Sequence, residues 1–391
     1  TFPESERSKG IGVWTAVGGG GGLLGMYLSA LLVDIANWRW LFVLPVALVF
    51  VAVAMAVRSV PNSREHAAHP FDTVGAVTSV IAVLGLIFAI HEGPVHGWDE
   101  PMTLFALVGG ILAAIGFVVW ELRQAGPLLD VRLFGEPRLA GGSLTLLAVL
   151  GVQAGIFVVL FPFLQAVLGW SALRATLGLL PMALLMMLSS VLAARLVTRI
   201  GARATMAAGI FLGGTGLALM ASIVSVDGGY LSVLPGMLAM GLGIGLAMTP
   251  STEAITSSLP PERQGVASAL NDVTREFGTA LGVALLGAIL SAGYRTSIDS
   301  RLDGVPADLA ATAREGVANA VAAAPGAGSR ASALVRAAQE SFVNGWQNAM
   351  WVGAAVMGIL FVYVLARSSR RAASATDDTE ADGDALAAVT G

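Results

Sequence analysis

Runs of about twenty apolar positions, each closed by a short polar or Gly/Pro-bearing connection, recur along the whole chain. Ten stand out, at 12–33, 40–59, 72–91, 101–121, 139–163, 174–196, 203–225, 230–252, 265–290 and 346–367. The connections carry structure breakers: "PNSREHAAHP" (61–70), "GPVHGWDEP" (93–101), "DGG" (227–229) and "LPPERQG" (259–265). A helix rises 1.5 Å per residue, so runs of this length match a hydrocarbon core about 30 Å thick. Backbone amides find no water there, and helix is the structure that satisfies them. The pattern predicts an all-α polytopic membrane protein.

Composition points the same way. Of 391 residues 55% are hydrophobic and 12% charged, and mean hydropathy is +0.77. A soluble domain carries about a quarter charged residues; these are too few to coat soluble domains. The absence of cysteine excludes disulfides, thiolate metal sites and a cysteine nucleophile. Net charge is −4, and no basic tract offers a nucleic-acid surface. The basic residues are arginines except Lys9, a usage that fits a high-GC bacterial genome.

Charge also orients the helices. With the N-terminus placed inside, the inner connections and tail hold Arg7, Lys9, Arg58, Arg64, Arg123, Arg132, Arg138, Arg195, Arg199, Arg203, Arg263, Arg367, Arg370 and Arg371, and the short outer loops only Arg39 and Arg174. Positive charge favours the cytoplasmic side, so both ends of this chain are expected there, in a multi-pass protein of the cell membrane. Trp38, Trp40, Trp98, Trp170, Trp346 and Trp351 fall at outer boundaries and Trp120 at an inner one, as interfacial indoles do. An external loop is expected over 291–345, with one amphipathic surface helix at "PADLAATAREGVANAVAAA" (306–324). The acidic end, 372–391, reads as a disordered tail.

Small residues spaced four apart recur at Gly18/Gly22, Gly21/Gly25, Gly209/Gly213, Gly241/Gly245 and Gly278/Gly282, and let neighbouring helices approach closely. The run "AVGGGGGLLG" (16–25) is denser than packing alone requires and suits a sliding contact.

At these landmarks the chain resembles a family. "PESERSKGIGVW" with its Gly-rich span, "VDIANWRWLFVLPVAL" (33–48), "PLLDVRLF" (127–134), "LQAVLGWSALRATLGLLPMAL" (164–184) and "LPPERQGVASALNDVTREFGTALGVALLGAIL" (259–290) resemble, in order, the fourteen-span drug:proton antiporters of the EmrB/QacA type in the major facilitator superfamily. "PESER" and "PPER", about 256 residues apart, echo two parallel six-span repeats with two spans inserted between them. The resemblance implies 1–60 as the last two spans of the first half, 61–126 as the inserted pair and 127–371 as the six-span second half. It also implies four spans ahead of residue 1, with proton-coupling residues in them. The fifth-span antiporter signature is altered, with Met26 at its proline and Ser29 and Ala30 at its last glycines. In "LVTRIGAR" (196–203) Thr198 stands where an Asp is frequent, while Arg199, Gly201 and Arg203 match.

Polar residues at membrane depth need a reason, since an ionisable group costs about 2.5 kcal/mol or more there. Asn271, Asp272, Arg275 and Glu276 cluster at helical spacing. They read either as a charge network near an inner gate or as an ion pair anchoring a helix end. Gln153 and Gln165 would line a substrate path or bond neighbouring helices. Pro45, Pro162, Pro181 and Pro250 are expected to kink helices. Enzyme motifs fail. In "HEGPVH" (91–96) the histidines are five apart with Gly93-Pro94 between them, and "GLGIGL" (241–246) lies within a span. The expectation is a transporter without cofactors, and the resemblance implies that the complete protein exports small amphipathic molecules across the bilayer in exchange for protons. The alternative is a non-transporting remnant that packs with another chain.

Overall fold

A computed structural model describes residues 37–59, 72–124, 129–259 and 264–390, with 25, 27–33, 35 and 127; the side chains of 94, 95, 137, 264 and 367–390 are outside the described set. In chain order the helices are α1 (Trp40–Ser59), α2 (Thr73–His96), α3 (Pro101–Glu121), α4 (Pro137–Pro162), α5 (Ala172–Gly178), α6 (Leu180–Ile200), α7 (Ala202–Ile223), α8 (Gly229–Thr256), α9 (Gln264–Asp299), α10 (Ala307–Glu315), α11 (Val317–Ala323) and α12 (Ala331–Thr390). A 3-10 turn (Val131–Gly135) precedes α4 and a π-helical turn (Phe163–Val167) extends it. Among the described residues there is no strand.

Nine segments among the described residues are long and apolar enough to cross a membrane. They coincide with nine of the ten apolar runs. The other run, 12–33, lies mostly outside the described residues, and with it the expectations for Gly18, Gly21 and Gly22. A Cβ on Gly25 would meet nothing within 4 Å. α12 is continuous to Thr390; its side chains beyond Ala366 are not described, so the expectation for the tail falls there.

The chain divides into two compact units, 1–69 with 169–180, and 70–168 with 181–391. In the first, α1 presents twenty residues of which none is buried. Arg39 lies over the Trp38 ring at 5.5 Å, and Arg174 over Trp170 at 4.4 Å. The second unit is a helix bundle in which α7 pairs with α8, α4 with α9 and α8, α2 with α3 and α9, and α12 with α9 and α7.

Glycine sets these pairings. On the α7–α8 seam a Cβ on Gly209 would stand 2.7 Å from the Gly243 carbonyl oxygen, and one on Gly216 2.7 Å from that of Gly236. On the parallel α4–α9 seam, Cβ atoms on Gly151 and Gly155 would stand 2.7 Å from the carbonyl oxygens of Gly278 and Gly282. The backbones are in van der Waals contact, an arrangement open only to the smallest residues.

Four expectations change. The run 174–196 is two helices, α5 and α6, because Pro181 offers no N–H and its ring crowds the carbonyl four residues back. The segment 291–345 is mostly helix: α9 continues to Asp299 and α12 begins at Ala331, since Tyr294 and Ile298, and Leu334, Ala338, Phe342 and Trp346, form buried faces at helical spacing. Within it 306–324 is two helices interrupted at Gly316, and buried Ala310, Ala313, Val317 and Ala320 make it a packed element rather than a surface one. The Tyr294 hydroxyl donates to the Ala313 carbonyl at 2.6 Å. Trp346 is likewise no interface residue. It is fully buried, 5.2 Å from the Phe163 ring centroid.

A polar clasp joins the α7–α8 loop to α12. Arg336 donates through Nη1 and Nη2 to the two carboxylate oxygens of Asp227 at 2.6 Å each, and through Nε to Glu340 at 2.7 Å. Gln347 donates to the Val224 carbonyl at 3.1 Å. The Arg336 guanidinium holds the Asp227 carboxyl below its ordinary range. A depressed carboxylate adds stability that is present above its unfolded value, near about pH 4, and lost as pH falls further. Asp227→Asn is therefore expected to melt at a lower temperature than the wild type above about pH 5, the two curves converging in stronger acid. The pair is exposed, so the gap is small and shrinks with salt.

Candidate functional site

α4 and the turn that extends it carry two glutamines within one membrane-length segment. That segment is Arg138–Val167, and Gln153 falls at its middle. Gln153, Phe157, Phe161 and Gln165 follow at intervals of four, so they form one stripe, about 18 Å long at 1.5 Å per residue. Gln165 is exposed and the other three are half-buried. The two phenyl rings stack, centroids 6.4 Å apart and planes at 29°. Gln153 Nε2 lies 3.6 Å from the Met186 sulfur of α6. The opposite face of α4, with Val152, Ile156 and Val159, is buried. A glutamine facing lipid tails at mid-membrane is costly, so the stripe belongs to a surface that meets protein or a polar cavity.

The stripe ends on an adjustable turn. Pro162 supplies no N–H, and the following five residues take π-helical geometry. The carbonyls displaced there are held by α12, where Gln339 Nε2 donates to the oxygens of Val167 at 3.1 Å and Ala166 at 3.4 Å. Behind them the Trp346 ring packs on Phe163. Of these residues the sequence singled out the two glutamines. The i, i+4 spacing of Phe157 and Phe161 between them was a readable signal. Gln339, more than 170 residues on, carried none.

The α9 cluster is divided between a buried face and an open one. Asn271 and Thr274 are buried on the face that continues to Gly278 and the α4 seam. Asn271 Oδ1 has no hydrogen-bond partner among the described residues. Asp272 and Glu276 are exposed and Arg275 is half-buried. No ion pair joins them among the described residues, so the expected anchoring pair is absent. The turn that buries Asn271 carries Asp272 and Glu276 onto an open face, where separated side chains lose little.

At one end of the bundle a cleft of about 490 Å³ is lined by Arg138, Gly141, Gly201, Arg203, Glu253 and Tyr363, among others. Gly201 starts α7 with φ +86°, a left-handed conformation that favours glycine, and its carbonyl accepts the Thr205 hydroxyl at 2.9 Å. Arg203 reaches the cleft; Arg199 is exposed and does not line it. The cleft thus joins Gly201 and Arg203 of one sequence motif to Arg138 and Glu253, which the sequence did not select. At the far end of α2, Glu92 bonds both histidines of "HEGPVH", His91 at 3.0 Å and His96 at 2.5 Å, which occupies the carboxylate.

Comparison with known proteins adds the lineage. Residues 1–283 match the sequence profile of the Major Facilitator Superfamily. The chain is 31% identical over 303 residues to the multidrug resistance protein Stp of Mycobacterium tuberculosis, covering 77% of this chain and 56% of that one. It is 32% identical over 316 residues to the cephamycin export protein CmcT of Amycolatopsis lactamdurans, covering 79% and 63%. It is 28% identical over 342 residues to the multidrug efflux pump LfrA of Mycolicibacterium smegmatis, covering 87% and 67%. The chain thus spans less than two thirds of the length of the first two.

Proposed function

The chain belongs to the Major Facilitator Superfamily, a family of membrane transporters, and from that premise we propose that it forms the larger part of a proton-coupled exporter of small amphipathic molecules. The fourteen-span drug-antiporter pattern, with both ends of this chain on the cytoplasmic side, is part of the proposal. The observation that carries it is the α4 stripe, a stacked phenyl pair between two glutamines on a half-buried face of a membrane-length helix. Phenyl faces bind flat apolar bodies, and the carboxamides accept and donate hydrogen bonds without selecting one charge. Three relatives named for resistance or export of small molecules support the same class of cargo.

The chemistry required of the protein is selective binding and release, not bond making. A small molecule entering from the membrane leaves its apolar part on Phe157 and Phe161 and satisfies its polar groups at Gln153 and Gln165. Asp272 and Glu276, exposed near one end of α9, are candidates to respond to protonation as the halves rock. Arg199, Gly201 and Arg203 hold the connection between α6 and α7 through that motion.

The full chain in proteoliposomes tests the reading. With a pH gradient imposed, a flat amphipathic dye is expected to move against its own gradient, and to stop when a protonophore collapses the pH difference. Dye movement indifferent to the gradient would remove proton coupling, and none at all would remove export by this chain. α1, none of whose residues is buried, keeps the second reading alive, in which another hydrophobic chain covers it. Co-purification of such a chain with a transport-inactive preparation would favour that reading.

A further inference from the structure

The cleft at the end of the bundle lies where membrane-length segments begin and stop. Arg138 and Ala202 begin two of these segments, and Thr256 and Ala366 end two others. All four segments contribute to its lining, among them through Arg138, Arg203, Glu253 and Tyr363. Its charges stand against the helix dipoles. Arg138 is the second residue of α4, and Arg203 the second of α7. A helix start carries partial positive charge, so a cation placed there raises the local potential further. Neither guanidinium makes an ion pair among the described residues, and neither does Glu253. Two guanidiniums against one carboxylate leave the cleft with one net positive charge. Gly201 gives α7 no side-chain cap, which leaves first-turn amides to add to the arginines.

The surroundings say what kind of anion fits. Beside the cleft the bundle is apolar and open. One turn along α12 from Tyr363, Ile359 is 72% exposed, and neighbouring Val362 is 63% exposed. On α7, Phe211 is exposed and its ring meets that of Phe361 on α12, centroids 5.7 Å apart. Basic pockets between helices at a membrane boundary bind anionic lipid headgroups. Here the head has a charged cleft, and the tails have apolar helix faces leading away from it.

We propose that this cleft binds the phosphodiester headgroup of an anionic membrane lipid. The phosphate oxygens accept from Arg138 and Arg203, whose planar forks match phosphate geometry. Arg138 is exposed and Arg203 half-buried, so both side chains have room to turn toward it. A head with one negative charge neutralises the cleft, whereas a zwitterionic head leaves it as positive as before. Glu253 repels a second negative charge, which favours a diester over a free phosphate dianion, and it accepts from a headgroup hydroxyl. The volume of about 490 Å³ falls within the roughly 300–1,000 Å³ of small-ligand sites. A bound head ties the starts of α4 and α7 to the ends of α8 and α12. The inference rests on the cleft and the membrane boundary, not on the transport reading, so it stands or falls separately.

The test uses the full chain in detergent, with phosphatidylglycerol, phosphatidylcholine and inorganic phosphate as probes. Native mass spectrometry is expected to retain phosphatidylglycerol in preference to phosphatidylcholine. Phosphatidylglycerol should also raise the melting temperature where the other two, at equal concentration, do not. Arg138→Gln and Arg203→Gln should each weaken its binding about fivefold, the worth of one arginine at a membrane surface, and the double variant about 25-fold. Arg195→Gln, which removes an exposed arginine of α6 outside the cleft, should leave binding unchanged. Equal retention of phosphatidylglycerol by wild type and double variant would overturn the proposal. Wild-type protein that holds phosphatidylcholine as well as phosphatidylglycerol would overturn it too, whether or not any variant folds. A phosphate-induced shift equal to the lipid's would give the cleft to a soluble anion and overturn the lipid assignment.

Discussion

Gly151→Leu should leave almost no folded, monodisperse protein in a detergent extract. A Cβ at that position would already stand 2.7 Å from the Gly278 carbonyl oxygen, and the next turn is as tight, with Gly155 against Gly282 and Leu286. The obstruction is backbone, which cannot swing aside as a side-chain tip does. Overpacking typically costs about 1–3 kcal/mol where side chains yield, and more where they cannot. A leucine here must push α4 from α9 along the whole seam, displacing buried Leu146, Leu150 and Leu270 as well. The loss is expected to exceed about 3 kcal/mol, a large share of a stability on the order of 5–15 kcal/mol. Gly287→Ala, on α9 across the seam, is the control: its Cβ would meet only Val158, at an ordinary 3.8 Å. Size-exclusion profiles and melting temperatures of the two variants decide the matter. A Gly151→Leu protein with a wild-type profile would mean that the seam is not the close contact described.

The second large effect is on recognition. Phe157→Ala should weaken binding of a flat amphipathic dye by about tenfold or more, since a phenyl contributes about 1.5–3 kcal/mol of apolar burial and each 1.4 kcal/mol is a factor of ten. Stacking on Phe161 adds about 0.5–1.5 kcal/mol to the organisation of the pair. Gln153→Leu removes one hydrogen-bonding group and should cost a few-fold, near 1 kcal/mol. Phe157 is half-buried and the hydrogen-bond contact of Gln153 among the described residues is the weak one to the Met186 sulfur, so melting temperatures should move little. Dye affinity in detergent, read beside melting temperature, separates a recognition role from a structural one. Unchanged affinity in both variants would take the stripe out of the transport path.

The candidate site was legible in part. Gln153 and Gln165 announced themselves because a carboxamide within an apolar run is costly, and their spacing already placed Phe157 and Phe161 on the same face. Nothing in the spacing said that this face would be half-buried while that of Val152 and Val159 would be packed. The α9 cluster shows the converse. Charges at spacings of three and four promised ion pairs, yet burial of Asn271 and Thr274 against α4 rotated Asp272 and Glu276 onto an open surface. Trp346 misled for a related reason. An indole at a boundary favours the interface only if no aromatic neighbour encloses it, and Phe163 and Phe342 lie far from it in sequence or a single turn away.

Two kinds of information separate cleanly in this protein. The apolar run length, the scarcity of charge and the glycine spacing determined an all-helical membrane bundle and nine of its crossings, because the hydrocarbon thickness and the need to satisfy every amide act on each segment alone. Partners belonged to the tertiary structure. Gln339 bracing the π-turn, Arg336 clasping Asp227 and the Trp120 indole meeting Asp72 join residues between 48 and about 170 positions apart. Such contacts depend on which helix faces which, a choice made by the packing of the whole bundle rather than by any one segment of it.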